Sequence, residues 1–165
     1  MRKLFQTRLH TEEQNGNCFS AVIASLMGLK SAEDAIQIQE YYTKKDWFTT
    51  LNKWLMERGW RISKIDNHLQ KDVLYLVVGA TVRGHNHICI YKNRELFHDP
   101  HPSGAGLANN KKFYVLKEIT KICFKCNLEK PLSEYYKHKQ MLDGHLNKCK
   151  LCTKVDVRER ESSLK

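Results

Sequence analysis

No apolar run in this chain of 165 residues approaches the length of a membrane span, and Met1–His10 carries no signal-peptide core. The expectation is a chain made for the cytosol, without a membrane partner. No internal repeat and no low-complexity block is visible. Acidic residues are scarce: 18 Asp and Glu stand against 28 Lys and Arg, for a formal net charge of +10. That balance favours an acidic partner, nucleic acid first among them. The surplus is denser toward the C-terminus. From Lys121 onward 11 Lys and Arg face 6 Asp and Glu, against 17 facing 12 over the first 120 residues. In a reducing compartment disulfides are not expected, so Cys18, Cys89, Cys123, Cys126, Cys149 and Cys152 are read as thiols or metal ligands.

With 41% apolar residues, the chain can bury one core with a small satellite. Gln14-Asn15-Gly16-Asn17 is a polar, turn-forming loop, and Cys18 opens an apolar helix in which Phe19, Val22, Ile23, Leu26 and Met27 recur at helical spacing. Cys18 therefore lies in the first helical turn, where unpaired amides and the positive dipole end favour a thiolate, the reactive form of cysteine. Ser31 with Asp34 predicts a second helix reaching about Tyr42. Asp46 opens a third, with Trp47, Leu51, Trp54, Leu55 and Arg58 on one face and Gly59 as its stop. The texture then changes to strands over Trp60–Ile65, Val73–Gly79, His87–Lys92, Arg94–His98 and Phe113–Ile119, with Lys92-Asn93-Arg94 as a hairpin turn. Helices followed by an antiparallel sheet predict an α+β domain over residues 1–120. A second unit spans 121–165, and its end, Val155–Lys165, reads as a frayed helix or a disordered tail.

His87 leads one strand and Asp99 follows the next, so on hairpin neighbours the two can meet at one end of the sheet. A carboxylate there can hold an imidazole, and the imidazole can take a proton from the Cys18 thiol. Nucleophile, base and orienter form the arrangement acyl transfer needs. The Cys18 amide and a nearby glutamine, Gln14 or Gln6, can donate to a developing oxyanion. Gly16-Asn17-Cys18-Phe19-Ser20-Ala21, Ala24-Ser25-Leu26-Met27-Gly28-Leu29, Gly84 through His87, and His98-Asp99-Pro100-His101-Pro102-Ser103-Gly104 together resemble a compact papain-like cysteine peptidase. The likeness covers roughly residues 5 to 117 and is nearest to the bacteriocin-exporter leader-peptidase branch and its small phage and bacterial relatives. It implies a papain-like fold with N-terminal helices on the sheet, Cys18 as nucleophile, His87 as base and Asp99 as orienter. Relatives usually set the oxyanion glutamine about six residues before the cysteine; Gln14 is closer than that and Gln6 farther.

Cys123-x-x-Cys126 and Cys149-x-x-Cys152, separated by 22 residues, have the spacing of a four-thiolate tetrahedral zinc site, with His145 as a possible replacement ligand. So short a segment lacks its own core, and one structural zinc would supply its folding energy. Ile122 to Cys126, Lys130 to Tyr136, Asp143-Gly144-His145 and Lys148 to Cys152 resemble the zinc ribbon found beside homing-type nuclease domains in phages. That resemblance implies nucleic-acid contact, for which Lys125, Lys137, Lys139, Lys148, Lys150 and Lys154 with Tyr135 and Tyr136 are the candidates. No nuclease residues accompany it, and His85-Asn86-His87 lacks the spread of a nuclease motif.

The expectation is thus a thiol hydrolase, a peptidase or isopeptidase, with a protein or peptide substrate and a basic zinc ribbon that localises it, in a phage protein working in the bacterial host cytosol. Three alternatives remain. The triad can serve an amidase- or transglutaminase-type acyl transfer. The fold can be inherited by a non-catalytic protein that binds nucleic acid or a host factor. A metal site built on His85, His87, His98, Asp99 and His101 competes with the triad.

Overall fold

The computed structural model describes residues 1–41, 46–66 and 69–163. The chain forms two compact units, Met1–Trp54 with Ile62–Leu116, and Leu55–Arg61 with Lys117–Lys165. The expected division at residue 120 differs from this in two respects: the second unit begins at Lys117, and it takes in Leu55–Arg61. Leu55–Arg61 belongs with the second unit, where the Ile119 N–H donates to the Gly59 carbonyl at 2.7 Å.

In the first unit α1 spans Cys18–Met27 and is followed by two short 3₁₀ turns, Ala32–Asp34 and Ile38–Tyr41; α2, Trp47–Met56, comes next and its last two residues fall in the second unit. Helix α1 is buried along its whole middle: Phe19 through Ser25 are all shielded, because β3 lies on one side and the 3₁₀ turns on the other. Val22 and Ile23 have no exposed surface, and truncating such a side chain to Ala costs about 2–5 kcal/mol. The second expected helix does not form. Ser31 caps as predicted, but Ala35 turns extended at φ −88°, ψ 160° after a single turn. The Gln37 side-chain amide then donates to the carbonyls of Ala32 and Ala35, taking acceptors that a continuing helix would have used. Tyr42, the expected end, lies outside the described residues.

The strands are β1 (Trp60–Ile65), β2 (Leu74–Ala80), β3 (Asn86–Lys92), β4 (Glu95–His98) and β5 (Asn109–Glu118), in the order β1-β5-β2-β3-β4. Strand β2 pairs antiparallel with β3 and β5, and β3 with β4. The two central strands are the continuous apolar runs, as strands covered on both faces should be. Asn93 and Arg94 both take positive φ, 52° and 69°, the backbone of a two-residue hairpin joining β3 to β4. Strand β5 begins four residues before the expected Phe113, since Asn109 and Asn110 extend its pairing with β2 past a bulge at Val78–Gly79.

The second unit carries two small hairpins, β6 (Thr120–Ile122) with β7 (Glu129–Pro131), and β8 (Tyr135–Lys137) with β9 (His145–Cys149), then α3, Lys150–Ser163. Its buried cluster is Cys123, Tyr135 and Cys149, flanked by Cys126 and Cys152, so sulfur stands where a larger domain would have leucine. The expected tail is helical through Ser163, as the distal part of α3, a helix with no buried residue, and its last two residues lie outside the described ones. Among the described residues no helix is long and apolar enough to cross a membrane.

Candidate functional site

Cys18 is placed by what precedes it. Asn17 stands at the N-cap of α1 and has no exposed surface, yet its side chain makes no capping bond. Its Oδ1 instead accepts the N–H groups of Thr7 and Arg8, each at 3.0 Å, and its Nδ2 donates to Thr7, Glu33 and Gln37. The chain at residues 6–8 is thereby stitched to the start of α1, and the first-turn amides, that of Cys18 included, keep no side-chain acceptor at the cap. Gly16 makes the crossing possible. A Cβ there would stand 2.8 Å from His10 N, 3.1 Å from the Arg8 carbonyl and 3.2 Å from Gln6 Nε2.

His87 lies opposite Gly79 on β2, and β4 pairs His98 with Ile90 before Asp99 follows. The hairpin thus brings His87 and Asp99 together: Nε2 and Oδ1 are 2.7 Å apart, with the side chains only 3% and 2% exposed. The same Oδ1 accepts the His101 N–H at 2.8 Å, and Oδ2 accepts the Gly106 N–H at 2.8 Å. Burial alone would raise the Asp99 pKa, but these three donors hold it well below the usual carboxylate range. Burial likewise works against a charged His87, yet hydrogen bonds with Asp99, Cys18 and Cys89 outweigh it and raise the imidazole well above its ordinary value. With Nε2 held by Asp99, Nδ1 is the ring nitrogen left for a thiol.

Cys18, His87 and Gln6 line one cavity of about 490 Å³. Gln6 is buried and donates through Nε2 to the Arg8 carbonyl at 3.0 Å, whereas Gln14 is exposed, donates to the Leu9 carbonyl and does not line the cavity. Trp47, Val78 and Tyr114 give the cavity an apolar flank, and His10, Arg83, His85 and His101 a basic one. His10 and His85 stack at 4.7 Å between ring centroids. Burial, followed by the neighbouring charges of His10 and Arg83, depresses the His85 pKa; burial, then Arg83 and His87, depresses that of His101.

Two groupings among the described residues can hold a metal ion. The four Sγ atoms of Cys123, Cys126, Cys149 and Cys152 lie within 4.8 Å of one another, as do donor atoms of His87, Cys89 and Asp99. The cysteine site is built by its own backbone. The Cys149 N–H donates to Cys123 Sγ at 3.3 Å, and Asn127, at φ 53°, turns the chain so that its N–H reaches the Cys123 carbonyl. Burial would raise the Cys123 thiol, but the N–H groups of Cys149, Cys126 and Lys125 overcome this and lower its pKa to about 6, favouring the thiolate a metal requires. His145 is in neither grouping; its Nδ1 faces the Asp143 carbonyl.

Of the candidate nucleic-acid lysines, Lys125 and Lys148 both pair with Asp156, and Lys150 donates to the Ser133 carbonyl at 2.7 Å; Lys137, Lys139 and Lys154 are exposed. The alternative metal centre does not assemble as a set. His98 Nε2 meets the Leu4 carbonyl at 2.7 Å, and His101 Nδ1 meets Ser103 Oγ.

Cys89 is the residue that the strand assignment obscured. It shares a strand face with His87 at a spacing of two, and that alternation was the signal for it. Comparison of the chain with protein-family models, with curated proteins and with solved structures gives no match.

Proposed function

We propose that the first unit is a thiol hydrolase of papain-like type, acting on peptide or isopeptide bonds. The observation that carries this reading is the placement of His87, held by Asp99 through Nε2 and lining the same cavity as Cys18. In the mechanism His87 accepts the Cys18 proton, and Sγ attacks the substrate carbonyl carbon. The developing oxyanion is met by the Cys18 amide and by Gln6 Nε2, the one of the two candidate glutamines that lines the cavity. The imidazolium returns its proton to the leaving amine as the carbon–nitrogen bond breaks. Water, deprotonated by His87, then splits the thioester and restores the thiol. Asp99 remains ionised throughout and keeps the ring in one orientation.

In the second unit the four cysteines would hold one structural zinc, which supplies folding energy to a segment whose buried apolar residues besides the sulfurs and Tyr135 are few, Leu55 and Leu132 among them. Contact with DNA or RNA through this unit rests on Lys137, Lys139 and Lys154, which stay exposed. A phage origin and a host-cytosol setting remain part of the proposal through the two resemblances alone.

The test is labelling of the zinc-loaded full chain with peptidyl and ubiquitin-like thiol electrophiles, compared with Cys18→Ala. Labelling confined to Cys18, with hydrolysis of a matched peptide, supports the hydrolase. Salt-dependent DNA binding lost with Lys137→Ala/Lys139→Ala/Lys154→Ala, and no labelling of Cys18, would leave a binding protein instead.

A further inference from the structure

The basic flank of the cavity has no role in the acyl-transfer steps. Arg83 lies in the turn between β2 and β3, and its Nη1 donates to Ser103 Oγ at 3.0 Å. Its Nε and Nη2 are shielded from solvent and meet no acceptor among the described residues. Those two N–H groups are parallel and form the edge of a guanidinium that takes both oxygens of a carboxylate at once. A buried donor pair without a partner is uncommon and costly, which makes it informative. The surroundings agree in sign: His10, His85, His101 and Lys112 line the same cavity, and no Asp or Glu among the described residues does. The Asp99 carboxylate is already taken by His87 and two backbone N–H groups.

We propose that Arg83, flanked by His85 and His101, is a carboxylate-binding subsite, so that the segment processed at Cys18 carries an acidic side chain or a free chain terminus. This assignment of substrate class rests on the hydrolase reading, whereas the binding of a carboxylate does not. An acidic peptide fits better than a nucleic-acid phosphate. The subsite shares its cavity with the thiol, and Trp47, Val78 and Tyr114 supply apolar lining for a peptide. Lys112, the cross-strand partner of Val78, is the one further Lys or Arg of that lining among the described residues, too few to follow a phosphate chain. Burial first, and the charge of Arg83 after it, depress His85 and His101, and a carboxylate beside them would offset the latter.

The experiment is a titration of full-length, zinc-loaded Cys18→Ala protein, followed by the imidazole NMR signals of His85 and His101 at one fixed pH. The probes are N-acetyl-glutamate α-amide, its glutamine counterpart, N-acetyl-diglycine and thymidine 5′-monophosphate. The expected result is saturable shifts with the glutamate probe, with the chain-terminal carboxylate or with both, and at least tenfold weaker binding of the glutamine probe. Whichever carboxylate binds tighter identifies the source. Arg83→Gln should abolish the shifts, and Arg83→Lys, which keeps the charge without the fork, should weaken them.

Equal binding of the glutamine probe, or shifts that survive Arg83→Gln, would overturn the subsite. Tighter binding of the nucleotide than of either carboxylate would overturn its assignment to an acidic peptide. Carboxylate binding beside an unreactive Cys18 in the wild type upholds the subsite and removes the hydrolase; a reactive Cys18 without carboxylate preference does the reverse.

Discussion

Asp99 gives His87 a single orientation: one carboxylate oxygen binds the ring at 2.7 Å, while the His101 and Gly106 amides fix the carboxylate from two further directions. Gly106 is suited to this, since its φ of +66° aims the N–H inward and a Cβ would crowd Leu96 at 3.2 Å. Removing the carboxylate as Asp99→Ala leaves a buried imidazole and two amides unpaired, a loss of about 3–5 kcal/mol. Amide hydrogen exchange along β3 should report it as weakened protection.

The pH dependence of that loss has a definite sign. The Asp99 pKa is depressed from 3.8, so its contribution is complete above that value and fades as the pH falls through the folded value. The His87 pKa is raised from 6.5, so its contribution is complete below that value and fades as the pH rises through the folded value. The stability gap between wild type and Asp99→Ala should be widest between pH 3.8 and 6.5 and narrow on either side. A gap that keeps widening above neutral pH would contradict the pairing.

Gly16→Ala tests the crossing of residues 6–10 over the start of α1. The added methyl meets backbone at His10 N, 2.8 Å away, which cannot rotate aside, and Gln6 Nε2 at 3.2 Å. We expect about 1–3 kcal/mol of destabilisation. Turnover of any peptide substrate should fall further than stability explains, because Gln6 is displaced from the cavity. Gln14→Ala, by contrast, should leave kcat unchanged.

Cys89 separates position from reactivity. It is fully buried against His87 and Asp99, and burial, the leading effect, raises its thiol pKa. Cys89→Ala should cost roughly 0.5–3 kcal/mol while the rate of Cys18 alkylation stays within about twofold of wild type. A loss of Cys18 labelling in this variant, with β3 exchange intact, would shift the chemistry onto Cys89.

The second unit should depend on its metal. Stripping with a strong chelator at neutral pH should release one zinc per chain and collapse protection of β8, β9 and α3, while β2 and β3 keep theirs. A single Cys123→Ser change should do the same, since an ion in such a site contributes roughly 10–16 kcal/mol. Release of no zinc, or protection in β8 and β9 that survives the chelator, would leave the four thiols without a metal.

Much of this arrangement was readable in the chain, and the exceptions share a cause. Strand β1 and the Lys92–Arg94 hairpin are local patterns, a run of strand-forming residues and a turn that tolerates positive φ, and they appear where expected. His87 and Asp99 meet because a hairpin brings the ends of neighbouring strands together. The Ser31 cap was equally local, but the helix after it was ended by the Gln37 side chain reaching back, which no propensity encodes. The choice between Gln6 and Gln14 was illegible for the same reason. It depends on Asn17, a buried amide that binds Thr7 and Arg8 instead of capping its own helix. Arg83, His85 and His101 belong to two loops whose approach is tertiary, and only the folded cavity brings them together.

The most direct measurement is the site-resolved rate of iodoacetamide alkylation at neutral pH in zinc-loaded wild type and His87→Ala, mapped by mass spectrometry. Cys18 should be modified faster than any other thiol of the chain. Its rate should fall about tenfold or more when His87 is removed, with the zinc retained. A Cys18 that reacts no faster than a free cysteine, at a rate indifferent to His87, would contradict the triad.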